Sequence, residues 1–355
     1  MSVQLQENIR LAPFTTLRIG GLARYFVRAE TLSDLQQAIE FAGLQSLPVF
    51  ILGGGSNLVV SDEGFDGLVL HAALTPSIER TDEEANALFD VSAGTCWDDL
   101  VEHTVGQGIS GIECLAGIPG LTGGTPVQNV GAYGQEVAQT IDSVSVLDRS
   151  TGEVRRMSNA ECGFSYRTSI FNSSARDRFL VVGVRFRLSR EGRPKLAYAD
   201  LRRHFEGKPQ PSPAEVAQAV RAIRRAKGML IVEGDPDCRS AGSFFKNPVT
   251  TPDALRRIAA AANLSESEIP HWPAAEGKIK LPAAWLIERA GFAKGYDAGP
   301  VGISTRHTLA LVNRSGSATC GELLAFAATI TAGVSERFSM QLEREPVFLG
   351  PGSNR

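Results

Sequence analysis

Apolar residues in the first part of the chain recur at two spacings. Leu35, Ile39 and Ala42 follow a helical period behind a capping box read at Ser33 to Gln36, with Gly43 as the stop. Pro48-Val-Phe-Ile-Leu52 is a short continuous apolar run and reads as a buried strand. It leads through Gly53-Gly54-Gly55-Ser56-Asn57 into a second run, Leu58-Val59-Val60. Asp62 to Gly67 reads as a turn, Leu68-Val69-Leu70 as another strand, and Trp97 to Val105 as a helix ending near Gly106. Residues 114 to 134 form the densest loop. Strand signals return at Ser143 to Leu147 and at Phe179 to Leu188, which predicts a mixed α+β lobe. A boundary is expected near Pro209-Gln-Pro-Ser-Pro213. Ser212, Pro213 and Glu215 then start a helix with Val216, Val220 and Ile223 on one face. After Lys227, helices alternate with Gly/Pro turns: one starts at Thr251-Pro252, another at Leu281-Pro282. Thr319 with Glu322 caps a long one through Val334, and Pro346 to Leu349 is a closing strand.

Composition narrows the function classes. The 355 residues predict two to three domains; 43% are hydrophobic and 21% charged, as in a globular chain. Lys+Arg 36 against Asp+Glu 39 leaves −3, so no basic field invites nucleic acid. No apolar run approaches the roughly 18–20 residues of a membrane span, and Met1 to Arg10 carries no signal pattern. Cys96, Cys114, Cys162, Cys238 and Cys320 are scattered without a Cys-x-x-Cys pair, and the five histidines show no His-x-x-x-His pair. The expectation is a reduced, cytoplasmic, metal-free protein.

The glycine-rich segments suggest chemistry. Residues 53–57 follow a strand, where glycines let backbone N–H groups converge on an anion. A dinucleotide fingerprint fails because Leu58 stands where its third glycine belongs and β-branched residues follow. A P-loop fails because Gly207-Lys208 and Gly277-Lys278 lack the next Ser/Thr. Gly117, Gly120, Gly123 and Gly124, with Gln128, Asn129 and Gly131, repeat the theme. A tight turn without a ligand explains either loop alone. Both together suit a long ligand with a pyrophosphate middle.

Leu-Gly-Gly-Gly-Ser-Asn-Leu with Ala-Gly-Ile-Pro-Gly resembles the FAD-binding fold of the vanillyl-alcohol-oxidase type. Pro13-Phe-Thr-Thr-Leu-Arg-Ile-Gly-Gly21, Gln128-Asn-Val-Gly-Ala-Tyr-Gly134, Tyr166-Arg167 and Ala241-Gly-Ser-Phe-Phe-Lys-Asn-Pro248 extend the likeness. Together they resemble the UDP-N-acetylenolpyruvoylglucosamine reductase family, from about Pro13 to Gly350. Leu196-Ala-Tyr198 resembles the longer subtype, with a tyrosine loop over the substrate.

The resemblance implies an α+β fold: a two-lobed FAD-binding domain of the vanillyl-alcohol-oxidase type and a C-terminal α+β substrate-binding domain. Implied boundaries are 1–71 for the first lobe, joined by a C-terminal strand in 344–355, then 72–230 for the second lobe and 231–343 for the UDP-sugar domain. It implies FAD, with NADPH as reductant, and reduction of an enolpyruvyl UDP-sugar to UDP-N-acetylmuramate for peptidoglycan. Neither glycine loop holds a Cys or His, so noncovalent FAD is expected, in a monomer. An alcohol or sugar oxidase on the same fold is the alternative. A flavin-nucleotide binding module is the non-enzyme reading; it predicts that Arg167, Ser243 and Glu345 do not converge.

The resemblance also supplies site residues. Arg167 would grip the carboxylate and stabilise enolate charge, Ser243 would deliver a proton, and Glu345 would be their acidic partner. Glu343 competes with Glu345, because strand alternation puts both on one face. Gly53, Gly54, Gly55, Ser56, Asn57, Ile118, Gly120, Gly123, Gly124, Thr125, Gly131 and Arg224 would line the cofactor. Tyr133, Tyr198, Lys227 and Asn247 would meet the substrate. Read without the resemblance, Arg167 is a structural arginine, Ser243 a turn serine, and Lys227 a solvated helix-end lysine. His307 and Trp272 are expected in core or surface roles.

Overall fold

The structure is a computed structural model and describes residues 3–353. Met1, Ser2, Asn354 and Arg355, at the outer ends of the expected 1–71 and 344–355 segments, lie outside the described residues.

The first body is built on β1 (Gln6–Arg10), β2 (Leu22–Ala29), α1 (Leu32–Leu44), β3 (Val49–Leu52), β4 (Leu58–Val60) and β5 (Phe65–Ala72). Its four-stranded sheet runs β1-β2-β5-β3, with β5 parallel to both neighbours. The Leu68-Val69-Leu70 stretch of β5 is apolar and buried because both faces are covered there. Phe65 and Val69 join one core with Phe26, Leu52 and Leu58, while Leu68 and Leu70 join another with Leu35 of α1. The strand therefore starts three residues before the Leu68-Val69-Leu70 run. The cap of α1 also differs from expectation. Thr31 accepts from the Asp34 N–H, and the Asp34 carboxylate accepts from the Thr31 N–H, two residues ahead of the Ser33 to Gln36 box. Asp34 reaches back in place of Gln36, and Gly43 stays inside the helix.

The second body carries β6 (Ile78–Asp82), β7 (Asn86–Ser92), α2 (Trp97–Gly106), the hairpin β8 (Gly131–Ala132) and β9 (Gln135–Glu136), β10 (Ile141–Asp148), β11 (Val154–Ser158), β12 (Phe179–Ser189), α3 (Ala199–His204) and α4 (Pro213–Ala226). Its five-stranded antiparallel sheet runs β11-β10-β12-β7-β6. Ala87, Phe89 and Val91 alternate inward along β7, onto Trp97 and Leu100 of α2. α4 carries the expected Ser212–Glu215 capping box, and its Val216 and Val220 pack into this same core. The Pro209 to Pro213 stretch is thus a turn leading a helix back onto the second body.

The third body contains β13 (Val249–Thr250), α5 (Pro252–Ala262), β14 (Trp272–Pro273), β15 (Ile279–Lys280), α6 (Ala283–Arg289), β16 (Asp297–Ala298), β17 (Val301–Ile303), β18 (Leu311–Asn313) and α7 (Cys320–Phe338). Thr251 caps α5 and the Thr319–Glu322 box caps α7, which runs one turn past Val334. Leu17, Ile19 and Val59 enter the core made by Leu286, Leu311, Leu323 and Ile330. Two polar clips add to this seam. The Asp62 carboxylate accepts from the Cys320 and Gly321 N–H groups at the start of α7, at 2.7 and 2.8 Å. Asn313 donates to the Leu17 carbonyl at 3.0 Å.

The last strand, β19 (Val347–Leu349), returns to the first body and pairs parallel with β4. Among the described residues no helix is long and apolar enough to cross a membrane, and no His/Cys/Asp/Glu group could hold a metal ion. Leu349 is fully buried under the first sheet. Leu349→Ala should lower unfolding stability by about 2–4 kcal/mol. Leu44→Ala, at a side chain 77% exposed, should change it by less than about 0.5 kcal/mol. Equal shifts in urea unfolding would contradict the docking of β19.

Candidate active site

β3 delivers the first glycine loop at its C-terminal end, and α2 is preceded by the strand end that anchors the second. The loops touch backbone to backbone: a Cβ on Gly54 would stand 2.5 Å from the Gly120 Cα. Gly55 has φ +64°, and a Cβ there would lie 1.8 Å from the Phe14 carbonyl oxygen. The Trp97 N–H donates to the Gly120 carbonyl at 3.0 Å, and the Gly123 N–H to that of Ala93 at 2.9 Å. Asn57 donates across the gap to the Gln128 side-chain oxygen.

The loops wall a cleft of about 1060 Å³. Gly53, Gly54, Gly55, Ser56, Asn57, Ile118, Gly120, Gly123, Gly124, Thr125 and Gly131 all face it. A Cβ on Gly53 or Gly124 would meet no protein atom within 4 Å, so these walls are bare backbone open to the cleft. Bare peptide walls and a volume suited to a large ligand fit an FAD cradle.

The reacting end is assembled by a short antiparallel pairing. Phe245 bridges Arg344, the Lys246 N–H donates to the Glu343 carbonyl, and the Glu345 N–H to that of Phe244, both at 2.9 Å. This sets Ser243 and Glu345 on the cleft wall, where Arg167 also lies. Depth separates the two glutamates, although both line the cleft. The Glu343 side chain is 73% exposed and pairs with Lys246; that of Glu345 is 12% exposed, with Oε1 2.9 Å from Arg167 Nε. Burial raises the Glu345 pKa above the usual carboxylate value, against the pull of Arg167 and Lys246. Arg167 Nη2 donates to the Gly131 carbonyl at 2.9 Å. Its Nε–H is buried and held by the ion pair with Glu345 rather than by an aligned hydrogen bond. Asn129, Tyr133 and Arg167 all hold left-handed backbone, with φ of 45°, 50° and 55°. Strain of this kind persists where surrounding bonds impose it. Asn129 shows how, since its carboxamide bonds Glu136, the Ser165 carbonyl and the Ala138 N–H.

Cations collect at another part of the cleft. Lys227 Nζ lies 5.8 Å from the Tyr133 ring centre and 5.6 Å from that of Tyr198, and the rings meet edge to face at 5.2 Å. Burial works against the Lys227 ammonium, but Asp200, 2.9 Å away, and the two phenols more than offset it and keep its pKa above the ordinary value. Arg224 donates to the Gly117 and Met229 carbonyls.

Asn247 stands apart from the cleft wall. Its Oδ1 accepts from the Ala283 N–H at 2.9 Å and caps α6, whose own N-cap is Pro282. Trp272 is exposed on β14 and does not line the cleft. His307 does, contrary to the core or surface role expected of it. The Leu309 N–H donates to His307 Nδ1, so the neutral ring carries its proton on Nε2. Gln128, read with the second glycine loop, also lines the cleft, as does Lys246, which is not among the expected site residues although it sits inside the Gly-Ser-Phe-Phe-Lys-Asn-Pro string.

Two matched segments define the class. Residues 23–158 match an FAD binding domain, which makes the chain a flavin-dependent oxidoreductase; residues 235–349 match the C-terminal domain of UDP-N-acetylenolpyruvoylglucosamine reductase. The chain is 45% identical to the UDP-N-acetylenolpyruvoylglucosamine reductase of Thermobifida fusca over 99% of both chains. It is also 45% identical to that of Salinispora arenicola, over 98% of this chain and 96% of the relative. The crystal structure of the Thermus caldophilus UDP-N-acetylenolpyruvylglucosamine reductase superposes with TM-score 0.64 at 26% identity, covering 99% of this chain and 100% of that one. The chain belongs to the UDP-N-acetylenolpyruvoylglucosamine reductase family.

Gly54→Ala should weaken FAD binding at least about tenfold, since its Cβ has no room against Gly120. Gly43→Ala, with nothing within 4 Å of the added carbon, should not. Flavin titration of the stripped variants checks both; equal affinities would remove the loop contact from the cradle. A second expectation concerns acid. Burial first, then Lys227, Lys294 and Arg224, push His307 from 6.5 to about 4. The unfolded chain therefore binds a proton here that the folded protein refuses, and His307 costs stability as pH falls from 6.5 to about 4. His307→Gln should flatten the pH dependence of urea unfolding in that window and leave it unchanged above pH 7. An identical slope in the variant would contradict the burial of a neutral ring.

Proposed function

We propose that this chain reduces the enolpyruvyl group of UDP-N-acetylenolpyruvoylglucosamine to UDP-N-acetylmuramate, a peptidoglycan precursor, with Arg167, Ser243 and Glu345 as its catalytic residues. The observation that carries this is their convergence on the cleft that the two glycine loops build, where Arg167 pairs with Glu345. A flavin-nucleotide binding module has no need of that convergence.

The two glycine loops would hold FAD, which when bound would supply hydride transfer between NADPH and the terminal carbon of the enol ether. As that carbon gains its hydrogen, the double-bond electron pair moves to the carbon bearing the carboxylate. Arg167 faces this charge with its planar guanidinium, which Glu345 and the Gly131 carbonyl hold in place. Glu345, whose burial favours the protonated form, limits the negative charge beside the enolate. The Ser243 hydroxyl donates its proton to the carbanionic carbon, and solvent restores it. Phe244 and Phe245, next in sequence, are buried in the third-body core rather than on the cleft and anchor the Ser243 backbone there. Lys227 meets the diphosphate, Tyr133 and Tyr198 cover it, and Arg224 faces the cofactor.

The division at 1–71 with 344–355, 72–230 and 231–343 follows this reading, with the first two parts holding FAD and the third the UDP-sugar. A cytoplasmic monomer binding neither nucleic acid nor membrane fits an enzyme of soluble nucleotide sugars.

An anaerobic spectrum tests the reading. Flavin bands should bleach with NADPH and return on adding the enol ether. Reduced flavin that ignores the enol ether but reoxidises in air would favour the sugar or alcohol oxidase. Ser243→Ala should slow the return by about 10²–10⁴-fold and leave the bleaching by NADPH within a few-fold. An unchanged return in stopped-flow absorbance would remove Ser243 as the proton donor.

A further inference from the structure

Arg306 does not line the cleft, yet it ties together three pieces of chain that do. Its Nη1 donates to the Arg225 carbonyl at the C-terminal end of α4, at 3.3 Å. Its Nε donates to Asp237 at 3.0 Å, and its Nη2 pairs with Asp235. Its own N–H and that of His307 both donate to Ser304 Oγ, at 3.1 and 3.3 Å. Gly228 makes room for this: a Cβ there would stand 3.2 Å from Arg306 Nε.

Each tie ends beside a cleft residue. Lys227 follows Arg225 by two positions and is the C-cap of α4. Cys238 and Ser240, after Asp237, lie on the cleft wall, and His307 is the next residue to Arg306. The Asp237 side chain is 7% exposed. Burial favours its neutral form, but two bonds from Thr305 and one from Arg306 outweigh this and hold its pKa below the ordinary value. The carboxylate is therefore a fixed anion, and Arg306 is the cation held between it, Asp235 and the carbonyl end of the helix.

We propose that Arg306 is a positioning residue for substrate affinity: its planar fork sets the end of α4, and so Lys227, against the His307 turn. This rests on the reading that Lys227 receives the substrate diphosphate. A single guanidinium can serve three acceptors at fixed angles, which an ammonium on the same stem cannot.

The test uses the FAD-loaded enzyme, with Arg306→Gln, Arg306→Lys and, in parallel, Lys227→Met. KM and kcat for UDP-N-acetylenolpyruvoylglucosamine are measured at saturating NADPH, and UDP serves as an inhibitory probe. Arg306→Gln should raise KM and the UDP inhibition constant in parallel by about tenfold, with kcat within about threefold and flavin content unchanged. Arg306→Lys should fall between it and the parent enzyme. Unchanged KM in Arg306→Gln alongside a raised KM in Lys227→Met would overturn the positioning role while leaving the diphosphate reading in place. Unchanged KM in Lys227→Met would overturn the diphosphate reading, and the proposal with it. Loss of flavin from both Arg306 variants, or a fall in kcat alone, would mark Arg306 as a scaffold residue and overturn the proposal equally.

Discussion

The backbone bonds of residues 343–349 are the constraint on which the site depends. On their first half they pair with Phe244 and Lys246 of the third body; on their second half they pair with β4 of the first. One short segment thus fixes the reacting residues relative to the glycine loop. Neither pairing leaves much freedom: a slip of one residue would turn Glu345 away from Arg167 and lift Leu349 out of its core. The β4 pairing is itself sandwiched, since Val59 belongs to the third core while Leu58 and Val60 belong to the first.

Around that segment the chemistry follows from unequal solvation. Two glutamates two residues apart differ because one faces solvent beside Lys246 and the other lies under Arg167. Charges that water would screen at position 343 act at short range at 345, where the protein has removed the water. The same removal leaves His307 neutral among cations, whereas at Asp237 the bonds from Thr305 and Arg306 outweigh it. The glycine loops contribute differently, by being bare. Their peptide groups come within contact distance of one another and of whatever fills the cleft.

Much of this was legible in the sequence where the determinant was local. The Ser212–Glu215 and Thr319–Glu322 boxes depend on neighbours within a few positions, and the strands at 49–52 and 347–349 show as short apolar runs although their partners are distant. The cap of α1 was misplaced by two residues because Thr31 with Asp34 and Ser33 with Gln36 satisfy the same pattern. The Asn247 side-chain oxygen caps a helix 36 positions away, a contact no spacing reveals. The same holds for His307, whose turn shows no period and whose shift draws in part on Lys227 and Arg224, distant in sequence. Period-two alternation could not rank Glu343 against Glu345, because depth, not direction, separates them.

The parallel pairing of β4 with β19 also has a consequence in time. A chain is made from its N-terminus, at about 5–20 residues per second. β4 therefore exists for roughly 15–60 s at such rates before its partner strand is synthesised. Through that interval the Leu58-Val59-Val60 edge, apolar and fully buried in the finished fold, lacks the strand that closes it. An open apolar edge is a template for a neighbouring nascent chain on the same message. Folding yield for this protein is then set as much by what shields that edge during translation as by the stability of the finished molecule.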